Sequence, residues 1–374
     1  MTNTFENGDA STTKNERPPH AQQPLETREV FLDTQVYRRL NYDLGNNTLL
    51  ALFDHIDADR LRLHITDITL AEMNDHIAAD AEVAVKKVSD ARKVAAQWRR
   101  RAPEAFGKSE GKAKKLNAKK AGKQAFDNFR AGLRGRGCTE HAAGDQSAML
   151  VLRAYFAREA PFDSPKSKEF PDAFVIEKLS SWCAENDTVM YVVTADKAML
   201  RAAEAKEPLR ELDNLPTLLE IATINHSPQV ESVVDAVVED DKFVAALETE
   251  LGERISELGT VYMGDLADGE AEEVAVSSAP TITDWTVISA SEAGYGIIVE
   301  FDVDVIARVY FEDRSMASYD KEDDVYFGAE TTHTEIEDRV TIKMFVRTDP
   351  DGVISQSEML TRDIDIYGPS DFYS

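Results

Sequence analysis

The chain has 374 residues, 43% hydrophobic and 30% charged, with a formal net charge of −27; that is the length of two domains with apolar content for full cores, and the acidic balance excludes a uniformly basic nucleic-acid binder. Two cysteines, Cys138 and Cys183, exclude a disulfide framework and a Cys-rich zinc site. No stretch approaches the ~20 apolar residues of a membrane span and residues 1–28 lack the apolar core of a signal peptide, so a cytoplasmic protein without a membrane partner is expected.

Residues 1–28 read as a disordered polar tail. Glu29-Val-Phe-Leu-Asp33-Thr34 is a short apolar run ending in an acid, the pattern of a buried strand. Short helical patterns follow near 36–42 and 48–56, then a second strand, Arg62–Thr66. Asp67 or Thr69 is placed to cap the next helix, which starts at Leu70-Ala-Glu72-Met73 and runs to about Arg101, where Pro103 stops it. Residues 107–124 are Gly- and Lys-rich, a loop or a solvated helix. Gln146–Glu159 has helical periodicity, with Met149, Leu150, Leu152 and Phe156 on or near one face.

Three prolines mark 160–171 as a loop, and Pro171 suits the first helical position of a helix over 172–185 with Asp172 in its first turn. Val189–Thr194 is a third strand, and Asp196 sits just past it at the start of a helix over 197–205. Leu218–Ile224 is a fourth short apolar run. The order β-α-β-α-α-β-α-β, with strands nearly free of polar residues, predicts an α/β domain over 29–227 around a mostly parallel sheet. A helix over about 233–258 and a linker over 263–275 lead on, giving 228–275 as a connecting segment. Over 276–374 the pattern changes to strict alternation. Val299, Phe301, Val303, Val305, Ala307 and Val309 alternate with Glu300, Asp302, Asp304 and Arg308. Asp349-Pro-Asp-Gly352 marks a turn, and Ile364 and Ile366 suggest a last strand. This predicts a smaller antiparallel β-rich domain.

Charge is distributed unevenly. Residues 86–136 hold 17 Lys and Arg against four acids, whereas residues 231–374 hold 35 acids against nine bases. A basic helical insertion, about 83–136, and an acidic accessory domain therefore lie in one chain, an asymmetry that points to partners.

Four acids fall where they could converge. Asp33 and Asp196 follow strands, Glu72 lies in the first turns after the second strand, and Asp172 opens a helix. Ligands of open α/β sheets sit outside the carboxyl ends of the strands. Carboxylates crowded there repel one another unless a cation lies among them, and all-oxygen sites suit Mg²⁺ or Mn²⁺.

Phe31-Leu-Asp33-Thr34, Ile68-Thr-Leu-Ala-Glu72-Met, Lys168-Glu-Phe-Pro-Asp172-Ala-Phe and Tyr191-Val-Val-Thr194-Ala-Asp196-Lys197 resemble the ordered acidic motifs of PIN-domain ribonucleases. The similarity is to the bacterial PIN-like branch with a long insertion before the third acid. Ala198 stands where similar proteins often carry another acid. The resemblance implies a three-layer PIN-like domain with a five-stranded parallel sheet, and metal-dependent hydrolysis of RNA phosphodiesters. It implies Asp33, Glu72, Asp172 and Asp196 as catalytic metal-binding carboxylates, with Thr194 supporting an acid by a hydrogen bond. Lys168 would stand near the scissile phosphate.

The basic insertion lies between the second and third acids. Its Lys114, Lys115, Lys119, Lys120, Arg134 and Arg136 are expected on the phosphates of single-stranded RNA, with Trp98, Phe106, Phe126 and Phe129 as stacking faces. The acidic β domain has two roles open to it: restraining the basic arm, or binding a protein partner. Two rival functions stay beside the endoribonuclease: a catalytically inactive PIN-fold regulatory protein, and a structure-specific DNA nuclease.

Overall fold

The computed structural model describes residues 23–106, 115–144, 147–163, 169–315, 317–320 and 325–368. The N-terminal part runs β1 (Glu29–Leu32), α1 (Thr34–Arg39), α2 (Asn47–Asp57), β2 (Arg62–Thr66), α3 (Asp67–Arg101), α4 (Pro103–Phe106), α5 (Ala118–Gly135) and β3 (Thr139–His141). It continues α6 (Ser147–Ala157), α7 (Phe170–Glu185), β4 (Met190–Val193), α8 (Lys197–Glu204), β5 (Leu209–Leu212) and α9 (Leu215–His226). The five strands are parallel in the order β3-β2-β1-β4-β5. Alternation along the strands sorts the core into two layers. Val30, Leu32, Leu63, Ile65 and Val193 pack with α1, α2 and α9 on one face, while Phe31, Met190 and Val192 pack with α7 and α8 on the other. The chain winds outward from β1 through β2 to β3, then returns to β4 on the far side of β1. The strand order therefore reverses between β1 and β4, and a crevice opens at their carboxyl ends.

Two strands were not expected. β3 is three residues of Thr-Glu-His on the sheet edge, and β5 is Leu-Arg-Glu-Leu with its polar pair partly exposed. Both are too short and too polar to stand out as apolar runs. Conversely, the apolar run 218–224 is helix, not strand. Asn214 accepts from Thr217 N at 2.8 Å and Pro216 sits in the first turn, so the local chemistry starts a helix there. In α6, Val151 is buried and Tyr155 packs on Phe162 and Phe170, whereas Met149, Leu150, Leu152 and Phe156 point to solvent. The predicted apolar face is thus turned outward.

The second part comprises α10 (Val230–Val238), α11 (Asp241–Arg254), a 3₁₀ turn (Ile255–Glu257), β6 (Gly259–Tyr262), β7 (Glu270–Val276), β8 (Thr281–Ser291) and β9 (Gly294–Asp313). It ends with β10 (Ser318–Asp320), β11 (Val325–Phe327), β12 (Glu330–Thr348), β13 (Ile354–Met359) and β14 (Asp363–Ile366). An antiparallel sheet runs β13-β12-β9-β7, with β8 also on β9. β9 and β12 pair from Tyr295–Thr348 to Asp313–Glu330, and the inward residues of the alternating pattern are buried against α10 and α11. The predicted single helix over 233–258 is two helices with a break at Glu239 and Asp240, where Asp240 caps α11 by accepting from Lys242 N at 2.7 Å. Within the segment read as linker, Glu270–Val276 is strand β7, because its alternating Ala271, Val274 and Val276 pack onto the sheet core.

The two sheets are joined by a shared core. Ile288, Ile298 and Phe345 pack among the residues of α2 and α9. His55 Nε2 lies 3.1 Å from Thr223 Oγ1 and 3.3 Å from the Ile288 carbonyl, and burial pushes this imidazole down to about 4. Glu358 accepts from Asn46 and Asn47 at 3.0 and 2.5 Å. No helix among the described residues is long and apolar enough to cross a membrane.

Candidate active site

Asp33 follows the last residue of β1. Its amide donates to the Val193 carbonyl at 3.0 Å, so the ends of β1 and β4 are held side by side. Thr194, fully buried, donates from Oγ1 to Asp33 Oδ2 at 2.8 Å, and the same oxygen accepts from the Asp196 amide at 3.0 Å. One hydroxyl thus fixes the Asp33 carboxylate and the turn carrying Asp196. Asp196 caps α8, with Oδ1 accepting from Ala198 N at 2.7 Å and Met199 N at 3.0 Å. That leaves Oδ2 for other work.

Glu72 reaches the same edge from α3. This helix is capped by the Thr66 hydroxyl, which accepts from Thr69 N at 3.1 Å; neither Asp67 nor Thr69 supplies that cap. Asp67 instead accepts from Ala143 N at 3.0 Å and ties down the chain after β3. Glu72 Oε2 accepts from Thr34 Oγ1 at 2.7 Å, so a second threonine next to Asp33 aims a second carboxylate. Asp172 enters from the first turn of α7, with Pro171 at its second residue.

The electrostatics show that these groups share a neighbourhood. Asp33 is buried to 7% exposure. Burial raises its pKa, the Thr194 hydrogen bond and the Thr34 backbone oppose that, and the charges of Glu72 and Asp196 add to the rise. Asp172 is pushed up to about 7, by burial first and then by Asp33, Glu72, Asp196 and Glu169. Glu169, which sequence reading did not single out, is raised by burial, Asp196 and Asp163. It occupies the cap position of α7 without making a cap bond, and its Oε2 is buried with no hydrogen-bond partner. Its signal in the sequence was its place three residues before Asp172 in the Lys168-Glu-Phe-Pro-Asp172 run.

Among the described residues, no three Asp, Glu, His or Cys side chains stand at joint ligand distance for one ion. Each of Asp33, Glu72 and Asp196 is instead drawn to a hydroxyl or an amide, as expected where like charges repel. The donor chemistry nevertheless fits a hard divalent cation: every group is a carboxylate, one carries an orphaned buried oxygen, and another is held near half-protonation at neutral pH.

The predicted substrate-binding residues fall into separate places. α3 leaves the carboxyl end of β2 and extends 35 residues, about 52 Å. α5 packs back along its first half. A side chain on Gly122 would lie 3.1 Å from Ala78 Cα, so the glycine permits this close approach. Lys115, Lys119 and Lys120 are exposed at the start of α5. Arg134 is spent on Glu140, which it grips together with Arg130, holding that carboxyl down to about 2. Arg136 pairs with Asp57 at 3.0 Å and stacks over Phe53. It lines a cleft with Glu29 and Arg62 at the strand starts, the end of the sheet opposite the acids. The structure does not bring these two arginines to the acid edge. Phe129 is no stacking face: it is buried edge-on against Tyr37 and Tyr42. Lys114 and Lys168 lie outside the described residues.

An open parallel sheet with a carboxylate-lined crevice at its switch point defines a nuclease-type fold. Residues 30–199 match the family model for the PIN domain, and this part of the chain is a PIN domain. No curated protein and no solved structure matches the chain.

Proposed function

We propose that the PIN unit is a metal-dependent endoribonuclease that hydrolyses single-stranded RNA, with Asp33, Glu72, Asp172 and Asp196 holding Mg²⁺ or Mn²⁺. The observation that carries this reading is the set of acids, three of them aimed by Thr34, Thr194 and the α8 amides, whose mutual repulsion holds Asp172 at about 7. When bound, the cation would supply the positive charge that lets these carboxylates ionise together, and the Lewis acidity for water attack on phosphorus. The protein's own work is positional. Thr194 holds Asp33 and the Asp196 turn at a fixed spacing. Thr34 holds Glu72 at 2.7 Å and keeps it from swinging into solvent. Asp172 carries a proton near neutral pH and gives it up when a cation arrives. Lys115, Lys119 and Lys120 on the arm supply phosphate contacts.

The test is cleavage of a defined single-stranded RNA with Mn²⁺, beside a single-stranded DNA of the same sequence. Asp196→Asn keeps the helix cap, since Asn caps as well as Asp, and Asp33→Asn keeps the Thr194 bond. Each is expected to lower cleavage by more than about 100-fold with little change in Tm. Full activity in both would overturn the site. A second reading, a silent PIN scaffold, is favoured by the absence of three carboxylates at ligand distance among the described residues. A wild-type protein that neither cleaves nor gains stability with Mn²⁺ would establish it.

A further inference from the structure

A cavity of about 260 Å³ opens at the same strand edge, on the α1, α2 and α9 side of the sheet. Gln35, two residues past Asp33, and Ala195, directly before Asp196, are part of its lining. Its far wall comes from the chain at and after the end of β13, where Leu360 faces Val36 and Leu215 across the space. The acidic C-terminal sheet therefore completes a cavity that the PIN unit alone would leave open. The volume is just under the range of pockets for drug-sized ligands, room for one nucleotide-sized group and not for a polymer segment.

The polar groups divide into braced and free. Arg362 Nη2 donates to the Arg39 carbonyl at 2.5 Å and to Asn41 Oδ1 at 3.0 Å, fixing the wall to α1. Glu358 is held by Asn46 and Asn47, and Asp213 accepts from Asn214. The Arg39 guanidinium also lines the cavity and, among the described residues, makes no hydrogen bond or ion pair. A free cation at an apolar-walled slot, with amide and carboxylate groups around it, matches a flat base with an attached phosphate. The position agrees. The basic arm springs from β2 on one side of the acids. The cavity borders the chain after β4 and β5 on the other, so a strand held at both would cross the acids.

We propose that this cavity seats one nucleotide of the RNA chain, next to the phosphodiester presented to the acids, and that the C-terminal sheet serves the nuclease as its wall. This rests on the ribonuclease reading above. It is tested on the full chain in EDTA, by calorimetric titration with adenosine and uridine 5′-monophosphates, so that neither metal nor catalysis enters. Wild type should bind at least one of them. Arg39→Ala should weaken binding about tenfold, and Leu360→Trp, which fills the slot from the sheet side, should abolish it. On labelled RNA with Mn²⁺, Arg39→Ala should raise KM about tenfold with kcat within about twofold. Should Leu360→Trp not fold, Arg39→Ala decides alone. No mononucleotide binding by wild type, or equal binding by wild type and Arg39→Ala, overturns the proposal. Binding that is lost in Arg39→Ala, in a protein that cleaves no RNA, retains the nucleotide site and overturns the ribonuclease reading instead.

Discussion

The chain holds two acid-rich regions, and they treat their carboxylates in opposite ways. On the C-terminal sheet, acids meet cations across strands. Arg308 pairs with Glu273, Lys343 with Glu300 at 2.5 Å, Arg314 with Asp268 at 2.5 Å, and Arg339 approaches Asp302 and Asp304. These partners are largely solvent-exposed, and such pairs contribute little to stability. At the PIN edge, Asp33, Glu72 and Asp196 are held only by hydroxyls and amides, and Asp172 is surrounded by their charge. Acid count does not mark a site, then. Burial together with the lack of a compensating cation does, because that combination is costly unless something positively charged is meant to arrive.

Breaking the comparison with charge removal should give the largest effect. Neutralising the edge with Asp33→Asn is expected to lower RNA cleavage by more than about 100-fold, whereas Glu273→Gln or Asp302→Asn on the sheet should leave the rate within about twofold. Gel assays with Mn²⁺ read both.

The shared core comes next. Ile288→Ala or Phe345→Ala, in the seam between the sheets, should destabilise the chain by about 2–5 kcal/mol. Urea unfolding followed by two probes should show one shifted transition. A shift confined to the C-terminal sheet would show that the seam does not couple the two parts.

The edge should also show in the pH dependence of stability. The folded pKa of Asp172, about 7, lies above its ordinary 3.8. Its favourable contribution is therefore complete below about pH 4 and is lost as pH rises through 7. The metal-free protein should lose Tm between pH 5 and 8, and Asp172→Asn should flatten that fall and raise Tm at pH 8. Glu140 behaves with the opposite sign. Its pKa is depressed to about 2, so its contribution is present above its ordinary 4.5 and lost as pH falls through 2. Because both arginine partners are substantially exposed, Arg134→Ala should cost less than about 1 kcal/mol and leave RNA affinity unchanged. Lys119→Ala with Lys120→Ala should instead lower the slope of log affinity against log salt by about 1.

Much of the site was legible because strand chemistry and site chemistry coincide. The runs before Asp33 and Asp196 are apolar enough to be buried strands, so the first acid after each falls at the carboxyl edge. Asp172 was legible through Pro171. Glu169 was not, because a Glu at a helix start reads as a surface residue until its oxygen is seen buried without a partner. Arg134 and Arg136 looked like phosphate contacts because a sequence shows a cation and not its partner; Glu140 and Asp57 come from β3 and α2. The cavity was equally hidden, since Arg39 and Leu360 are brought together only by the packing of one sheet on the helices of the other.

The central claim is that Asp33, Glu72, Asp172 and Asp196 form one cation site. Calorimetric titration of Mn²⁺ into wild type and Asp33→Asn, in two buffers of different ionisation enthalpy, tests it most directly. Saturable binding with proton release at pH 7 in wild type, lost in the variant, is the expected result. Identical titrations for the two proteins would contradict it.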